Sequence, residues 1–71
     1  MVNRAPVLSS TIRSIGYDPS TSTLEIEFHR GGTYTYLDVP EFLYQGLMVA
    51  KSKGQFFNQR INSRYQSQQI D

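Results

Sequence analysis

The chain has 71 residues, seven basic and six acidic side chains, a net charge of +1 and no cysteine. This length provides for a single domain, because one small core and its covering surface already use a chain of this size. We expect residues 1–7 and 66–71 to be flexible ends. The missing cysteines exclude disulfides, thiolate metal ligands and a cysteine nucleophile.

Apolar segments of the length of a signal peptide or a membrane span are absent from the sequence. We therefore predict a cytoplasmic protein with no membrane association. With one histidine and no cysteine to supply ligands, we expect neither a metal site nor a cofactor.

Before Pro40, apolar and polar residues alternate as they do in β-strands. The pattern predicts three strands, over residues 8–17, 23–29 and 33–37. In the middle strand we expect one face to point inward and the other outward. The inward residues are Leu24, Ile26 and Phe28, and the outward ones are Glu25, Glu27 and His29.

Short turns join these strands and make them an antiparallel meander. Asp18-Pro19-Ser20 favours the first turn, and Arg30-Gly31-Gly32 favours the second, because glycine takes positive φ without steric cost. The three-residue step from Ile12 to Ile15 breaks the alternation and predicts a bulge near Ser14 or Gly16.

After Pro40 the apolar residues recur at helical spacing, which predicts a helix over residues 40–51. Gly46 on its apolar side would allow close approach to the sheet. Ser52-Lys53-Gly54-Gln55 has the form of a capping box and predicts a second helix over 54–61. Residues 62–71 are either a short last strand or a frayed tail. The predicted fold class is α+β: a bent antiparallel meander, two helices and a final strand that closes the sheet if it forms.

Several short motifs together resemble the KTSC domain, a family of small bacterial and phage proteins named after a segment at the C-terminus of certain lysyl-tRNA synthetases. The resemblance covers residues 8–65. The matching elements are Ser9-Ser10-x-Ile12, Gly16-Tyr17-Asp18, Leu24-x-Ile26-x-Phe28, Tyr34-x-Tyr36-x-x-Val39-Pro40, Gly46-Leu47 and Ala50-x-Ser52-Lys53-Gly54-x-Phe56-Phe57-Asn58-x-x-Ile61.

The resemblance implies a variant of the Sm-like or SH3-like small barrel, with a strongly bent sheet and its helix in an unusual place in the chain order. It implies no catalytic activity. Nucleic-acid binding is what the name and fold of the family imply.

The charges are unevenly distributed along the chain. Residues 16–41 contain five acidic side chains and one basic, whereas residues 51–65 contain four basic and no acidic side chains. The basic segment is either a contact surface for the phosphate backbone of RNA or single-stranded DNA or an ordinary solvated face. With only four charges and a sequence pI near 8, the solvated face is favoured for the segment taken alone. The candidate contacts are Lys51, Lys53, Arg60, Arg64 and Arg13.

Ser52 and Gly54 are also candidates for an anion site, because the start of a helix offers unpaired N–H groups. The alternative is that Ser52 only caps the helix and Gly54 only turns the chain. This alternative is favoured, since the full phosphate-loop spacing is missing.

Aromatic residues also leave alternatives open. Tyr34 and Tyr36 share one face of the third strand and form either a stacking platform or part of the core, and a chain this small favours the core. Phe56 and Phe57 cannot both point inward from one short helix, so Phe56 is expected to be partly exposed.

Little in the sequence favours catalysis. His29 is the single histidine, and Ser9, Ser10 and Asp18 are its conceivable partners, but a triad is defined by geometry rather than composition. The sequence favours a non-enzymatic binding module with nucleic acid as partner and no small-molecule substrate. The competing hypothesis is a protein-interaction or self-association module that uses a sheet edge and Phe56.

Overall fold

The computed structural model describes residues 3–71, which form one five-stranded sheet and two helices. The elements are β1 (Ala5–Pro6), β2 (Ile12–Asp18), β3 (Thr23–Phe28), β4 (Thr33–Tyr36), α1 (Glu41–Val49), α2 (Lys53–Arg60) and β5 (Ser67–Gln69). Neighbouring strands pair antiparallel in the order β1-β2-β3-β4-β5, and the sheet is open. The predicted α+β class is confirmed, and the expected closure of the sheet is not found.

Strand β2 begins at Ile12 rather than at residue 8 because a side chain diverts the backbone before it. The hydroxyl oxygen of Ser9 accepts hydrogen bonds from the N–H groups of Thr11 and Ile12, each at 3.1 Å. Such a local turn competes with strand pairing. The register shifts between Ile12 and Ser14, which confirms the predicted bulge.

Both predicted turns are present. The Asp18 carboxylate accepts hydrogen bonds from the N–H and the hydroxyl of Ser20, at 3.0 and 2.6 Å, and these bonds lower the pKa of Asp18. Between β3 and β4, Gly31 and Gly32 have φ values of 121° and 90°. Only glycine adopts such angles readily, so these two residues fix the tight hairpin.

The helices are shifted by a residue or two from their predicted bounds. Helix α1 ends when Ala50 turns to extended backbone, and Ser52 then caps α2 by accepting a hydrogen bond from the Gln55 N–H at 3.3 Å. Gly46 does not approach the sheet as expected. It faces α2 instead, where a Cβ at Gly46 would lie 2.8 Å from Cζ of Phe56.

The core lies between the helices and one face of the sheet. Tyr36 is buried there with its ring edge against Phe57, and burial raises the pKa of Tyr36 to about 12, with a smaller contribution from Tyr34. The core interpretation is confirmed for Tyr36, whereas Tyr34 is half-buried and packs against the edge of the core. The partial exposure of Phe56 beside buried Phe57 is confirmed. The buried apolar residues are Ile12, Ile15, Leu24, Ile26, Tyr36, Val39, Leu43, Leu47, Phe57 and Ile61.

Each of the segments expected to be flexible ends contains a short strand. Ala5 and Pro6 pair with Ile15 and Ser14, which adds β1 to the edge of β2. Of the two alternatives for residues 62–71, the structure has the short last strand, because β5 pairs with β4 along its length. The two added strands widen the open sheet at both edges.

The face of the sheet opposite the core is polar and partly covered. Glu25 lies on this face as predicted, but it is only 8% exposed. Arg4 forms an ion pair with Glu25 and donates a hydrogen bond to the hydroxyl of Ser14. Ser14 in turn donates to Glu27 at 2.9 Å. Part of the acidic charge of the sheet is therefore neutralised within the chain.

Candidate nucleic-acid interface

A polar groove lies between residues 8–11 and the start of α2. Its volume is about 620 Å³, and its second wall consists of residues 51–55 with Asn58 and Gln59. We call it the α2 groove. Two of its lining residues are lysines, and no carboxylate from residues 3–71 lines it. An open groove with this charge suits an anion.

The first wall of the α2 groove is held in place from both ends. Ser9 closes its turn on the N–H groups of Thr11 and Ile12, as described above. His29, at the end of β3, donates its backbone N–H to the Thr11 carbonyl at 3.0 Å. Its ring nitrogen Nε2 lies 2.9 Å from the Ser9 carbonyl oxygen. The segment is thus fixed before any ligand arrives.

The second wall is the first turn of α2. The N–H groups of a first helical turn have no backbone partner within the helix, and the helix dipole makes this end positive. Here Ser52 accepts from the Gln55 N–H, which leaves the N–H groups of Lys53 and Gly54. Gly54 brings this turn directly against the first wall, since a Cβ at Gly54 would lie 2.8 Å from Oγ1 of Thr11. The two walls therefore meet at the floor of the groove.

The two lysines of the groove have different environments. Lys53 is half-buried, and its Nζ donates a hydrogen bond to the Ala50 carbonyl at 3.0 Å, so it satisfies the C-terminal end of α1. Lys51 is exposed, and the ion pairs found within residues 3–71 involve Arg4 and Arg13 instead. Lys51 is thus the side chain that is free to move toward a ligand.

Arg60 is the last residue of α2 and Arg64 lies four residues beyond it, and both line a smaller depression beside Phe42 and Tyr65. The Arg60 guanidinium lies 5.8 Å from the ring centroid of Phe56, and Arg64 Nε donates to the Gln59 carbonyl at 3.2 Å. Gln59 borders both this depression and the α2 groove. The two arginines continue the basic surface along the helix without lining the groove itself.

The structure does not bring Arg13 together with the other predicted contacts. Arg13 lies on the polar face of the sheet, where its Nε is 3.8 Å from Oε2 of Glu27. The candidate anion residues Ser52 and Gly54 do line the α2 groove with both lysines. Ser52 is also the predicted helix cap, so the structural role and the candidate binding role share one residue.

Sequence reasoning missed Arg30, because its neighbours along the chain are acidic. In the structure the β3–β4 turn, which contains Arg30, borders Ser10 and Thr11 and so lies beside the α2 groove. The pairing of Ile12 with Phe28 produces this approach. The register between the two predicted strands, had it been derived from their apolar patterns, would have placed Arg30 near residues 10 and 11.

The groups considered for catalysis do not form a triad. The Ser9 hydroxyl is occupied by backbone N–H groups, and His29 contacts the Ser9 carbonyl rather than its hydroxyl. Asp18 is bound to Ser20 at the far end of β2. Residues 3–71 contain no group of three potential metal ligands and no helix long and apolar enough to cross a membrane.

The fold and the groove describe a small α+β domain with a preformed polar surface. The family model of the KTSC domain matches residues 8–65, and the chain belongs to this family. A crystal structure of a KTSC domain protein from Yersinia pestis is similar, with 48% identity and a TM-score of 0.97 over 100% of both chains.

Two sequence relatives show two contexts for the domain. An uncharacterized protein of Stutzerimonas stutzeri is 45% identical over 58 residues, 82% of each chain. A lysine–tRNA ligase of Nostoc punctiforme is 39% identical over 61 residues, which are 86% of this chain and 11% of the ligase. The domain therefore occurs in small proteins and as a minor part of a large enzyme.

Proposed function

We propose that this domain is a non-enzymatic module that binds a single strand of RNA or DNA in the α2 groove. The observation that carries the proposal is the convergence of Lys51, Lys53 and the first turn of α2 in one groove. A phosphodiester requires N–H and hydroxyl donors together with positive charge, and the groove supplies all three.

Each side chain has a role in this proposal. Lys51 is the mobile cation that pairs with a phosphate, and Lys53 adds a fixed charge at the rim. The hydroxyls of Ser10 and Ser52 lie on opposite walls and donate to phosphate oxygens. Arg60 and Arg64 contact the strand where it leaves the groove along α2.

RNA is the favoured class of nucleic acid. The domain forms 11% of a lysine–tRNA ligase, an enzyme whose name identifies tRNA as its substrate. A small domain of this kind attached to such an enzyme serves most simply as an additional RNA contact. A cytoplasmic location, where tRNA is charged, is part of the same proposal.

The test compares two variants that each lose one positive charge. Binding of a fluorescent single-stranded RNA is measured from 20 to about 200 mM salt for the wild type, Lys51→Gln and Arg13→Gln. We expect the slope of log affinity against log salt to fall by about 0.7 in magnitude for Lys51→Gln, the value for one lost phosphate contact on a single strand. We expect no change for Arg13→Gln, since Arg13 lies on the other face.

The same series separates groove binding from diffuse attraction. Equal losses in the two variants would show that net charge, rather than the groove, drives binding. No binding by the wild type at the lowest salt would refute the proposal. Single-stranded DNA of the same sequence identifies any contribution of the RNA 2′-hydroxyl.

Self-association is the second candidate, favoured by the outer face of α1. Phe42 and Val49 are 71% and 83% exposed, and their seven-residue spacing places them on one side of the helix with Gly46 between them. Half-buried Phe56 packs over Gly46 and extends this apolar surface. Sedimentation at micromolar concentrations tests this role. A dimer in the wild type that is lost in the double variant Phe42→Gln with Val49→Gln supports it, and a strictly monomeric wild type contradicts it.

A further inference from the structure

A second depression adjoins the α2 groove, and the two share Ser10 and Thr11 in their common wall. Its volume is about 370 Å³, and Phe28, Arg30, Gly31 and Tyr34 complete its lining. We call it the aromatic slot. The slot and the groove lie on either side of Ser10 and Thr11, so an extended ligand that crosses these two residues can occupy both.

Two aromatic rings form the apolar side of the slot. Phe28 and Tyr34 meet edge to face, with ring centroids 5.8 Å apart and an interplanar angle of 74°. Both side chains are half-buried, so each ring is fixed by the core on one side and reaches the surface on the other. The Tyr34 hydroxyl donates to Gln69 at 3.3 Å, which further restricts the ring.

Arg30 provides the polar side of the slot. It is exposed, and the ion pairs found within residues 3–71 do not involve it. A Cβ added at the neighbouring Gly31 would have no heavy atom of a non-adjacent residue within 4 Å, so this side of the slot is open to a ligand. A guanidinium presents several N–H donors in one plane, which match the carbonyl and ring-nitrogen acceptors of a base.

We infer that the aromatic slot receives one unstacked base of the strand whose phosphates lie in the α2 groove. This inference depends on the proposed nucleic-acid function. The occupant is flat and aromatic, because two aromatic rings line the slot, and it is attached to an anion, because Lys51 and Lys53 lie beyond the shared wall. Base stacking on aromatic side chains is the usual means by which proteins hold single strands.

The slot also restricts the kind of nucleic acid that can bind. A base that is paired and stacked within a duplex cannot enter the slot, so the domain should prefer single-stranded segments, loops and ends. No particular base is selected by the rings, since every base has a π-face. Arg30 favours bases that present acceptors on their exposed edge.

The experiment compares two oligonucleotides of equal length and charge, one with bases and one in which every position is abasic. For the wild type we expect about tenfold tighter binding of the oligonucleotide with bases, the effect of one stacked base. Tyr34→Leu keeps apolar bulk but removes the ring, and it should abolish this preference while the affinity for the abasic strand stays unchanged. Tyr44→Leu, which removes a half-buried tyrosine outside the slot, is the matched control.

The outcomes separate the slot from the groove. Equal affinity of the wild type for both oligonucleotides overturns the aromatic slot and leaves phosphate binding in the groove intact. Absence of binding to either one at low salt overturns the proposed function itself. If Tyr34→Leu fails to fold, Phe28→Leu provides the second variant. Equal affinity of the wild type for the two oligonucleotides would still overturn the slot.

Discussion

Gly54 and Thr11 pack so closely that a Cβ on Gly54 would lie 2.8 Å from Oγ1 and 3.1 Å from Cβ of Thr11. Thr11 has a short side chain, and its carbonyl is bound by the His29 N–H, so it has little room to move. This contact sets the position of α2 against residues 8–11. The width of the α2 groove therefore depends on the absence of a side chain at position 54.

Alanine at the two close-packed glycines should have different effects. We expect Gly54→Ala to cost about 1–3 kcal/mol, the usual range for overpacking, and to weaken RNA binding by moving the groove walls apart. Gly46→Ala should be nearly neutral, since the half-buried Phe56 ring can shift and alanine is about 1 kcal/mol better than glycine in a helix. Urea unfolding measures both. Equal costs would contradict the described role of Thr11.

His29 should act as a support for the groove rather than as a chemical group. His29→Ala removes the ring contact to the Ser9 carbonyl but leaves the backbone N–H that binds Thr11. We expect faster amide exchange at Thr11 and Ile12, a global stability change below about 1 kcal/mol, and several-fold weaker RNA binding. Unchanged exchange at these amides would show that the ring does not hold the segment.

Arg4 should stabilise the fold through the polar face of the sheet. Arg4→Gln leaves the covered Glu25 carboxylate without its cation, which should lower the free energy of unfolding. The loss should be only about 1–2 kcal/mol, because Arg4 itself is partly exposed. Arg13→Gln breaks the more exposed pair with Glu27 and should cost less than about 0.5 kcal/mol. Urea midpoints compare the two. A larger loss for Arg13→Gln would contradict the burial of Glu25.

Burial of Tyr36 predicts a loss of stability at alkaline pH. Its pKa is raised from 10.0 to about 12, so the unfolded chain releases this proton at lower pH than the folded one. The protonated Tyr36 makes its full contribution to the free energy of unfolding below pH 10. This free energy should fall by on the order of 2 kcal/mol as the pH rises to about 12. Tyr36→Phe keeps the ring and cannot ionise. Its unfolding free energy should fall less over this pH window, and an identical fall would exclude Tyr36 as the cause.

Most of the fold could be predicted because local patterns and tertiary packing agree. The alternation at Leu24 and Ile26 and the spacing of Leu43 and Leu47 each identify a buried face, and all four residues are in the core. The burial of Glu25 could not be predicted in the same way. Glu25 is paired with Arg4, which lies next to the two-residue strand β1, and this segment carries no periodic signal.

The candidate site was only partly predictable. Lys51 and Lys53 are close in sequence to the cap at Ser52, so their position beside the start of α2 follows from the helix prediction. Whether Arg13 and Arg30 lie near the groove depends on the face of the sheet that Arg13 occupies and on the turn that contains Arg30. The sequence prediction included Arg13 among the candidate contacts and left Arg30 out. In the structure Arg13 lies beside Glu27 on the polar face of the sheet, and Arg30 lines the depression next to the α2 groove.

The most direct measurement is an NMR titration of the ¹⁵N-labelled protein with a short single-stranded RNA at low salt. We expect the amide shifts to concentrate in residues 8–11 and 51–55 and in the β3–β4 turn around Arg30. Residues on the polar face of the sheet, including Arg13 and Glu27, should not shift. Shifts confined to that face or to the outer side of α1, or no shifts at all, would contradict the assignment of the α2 groove as a nucleic-acid interface.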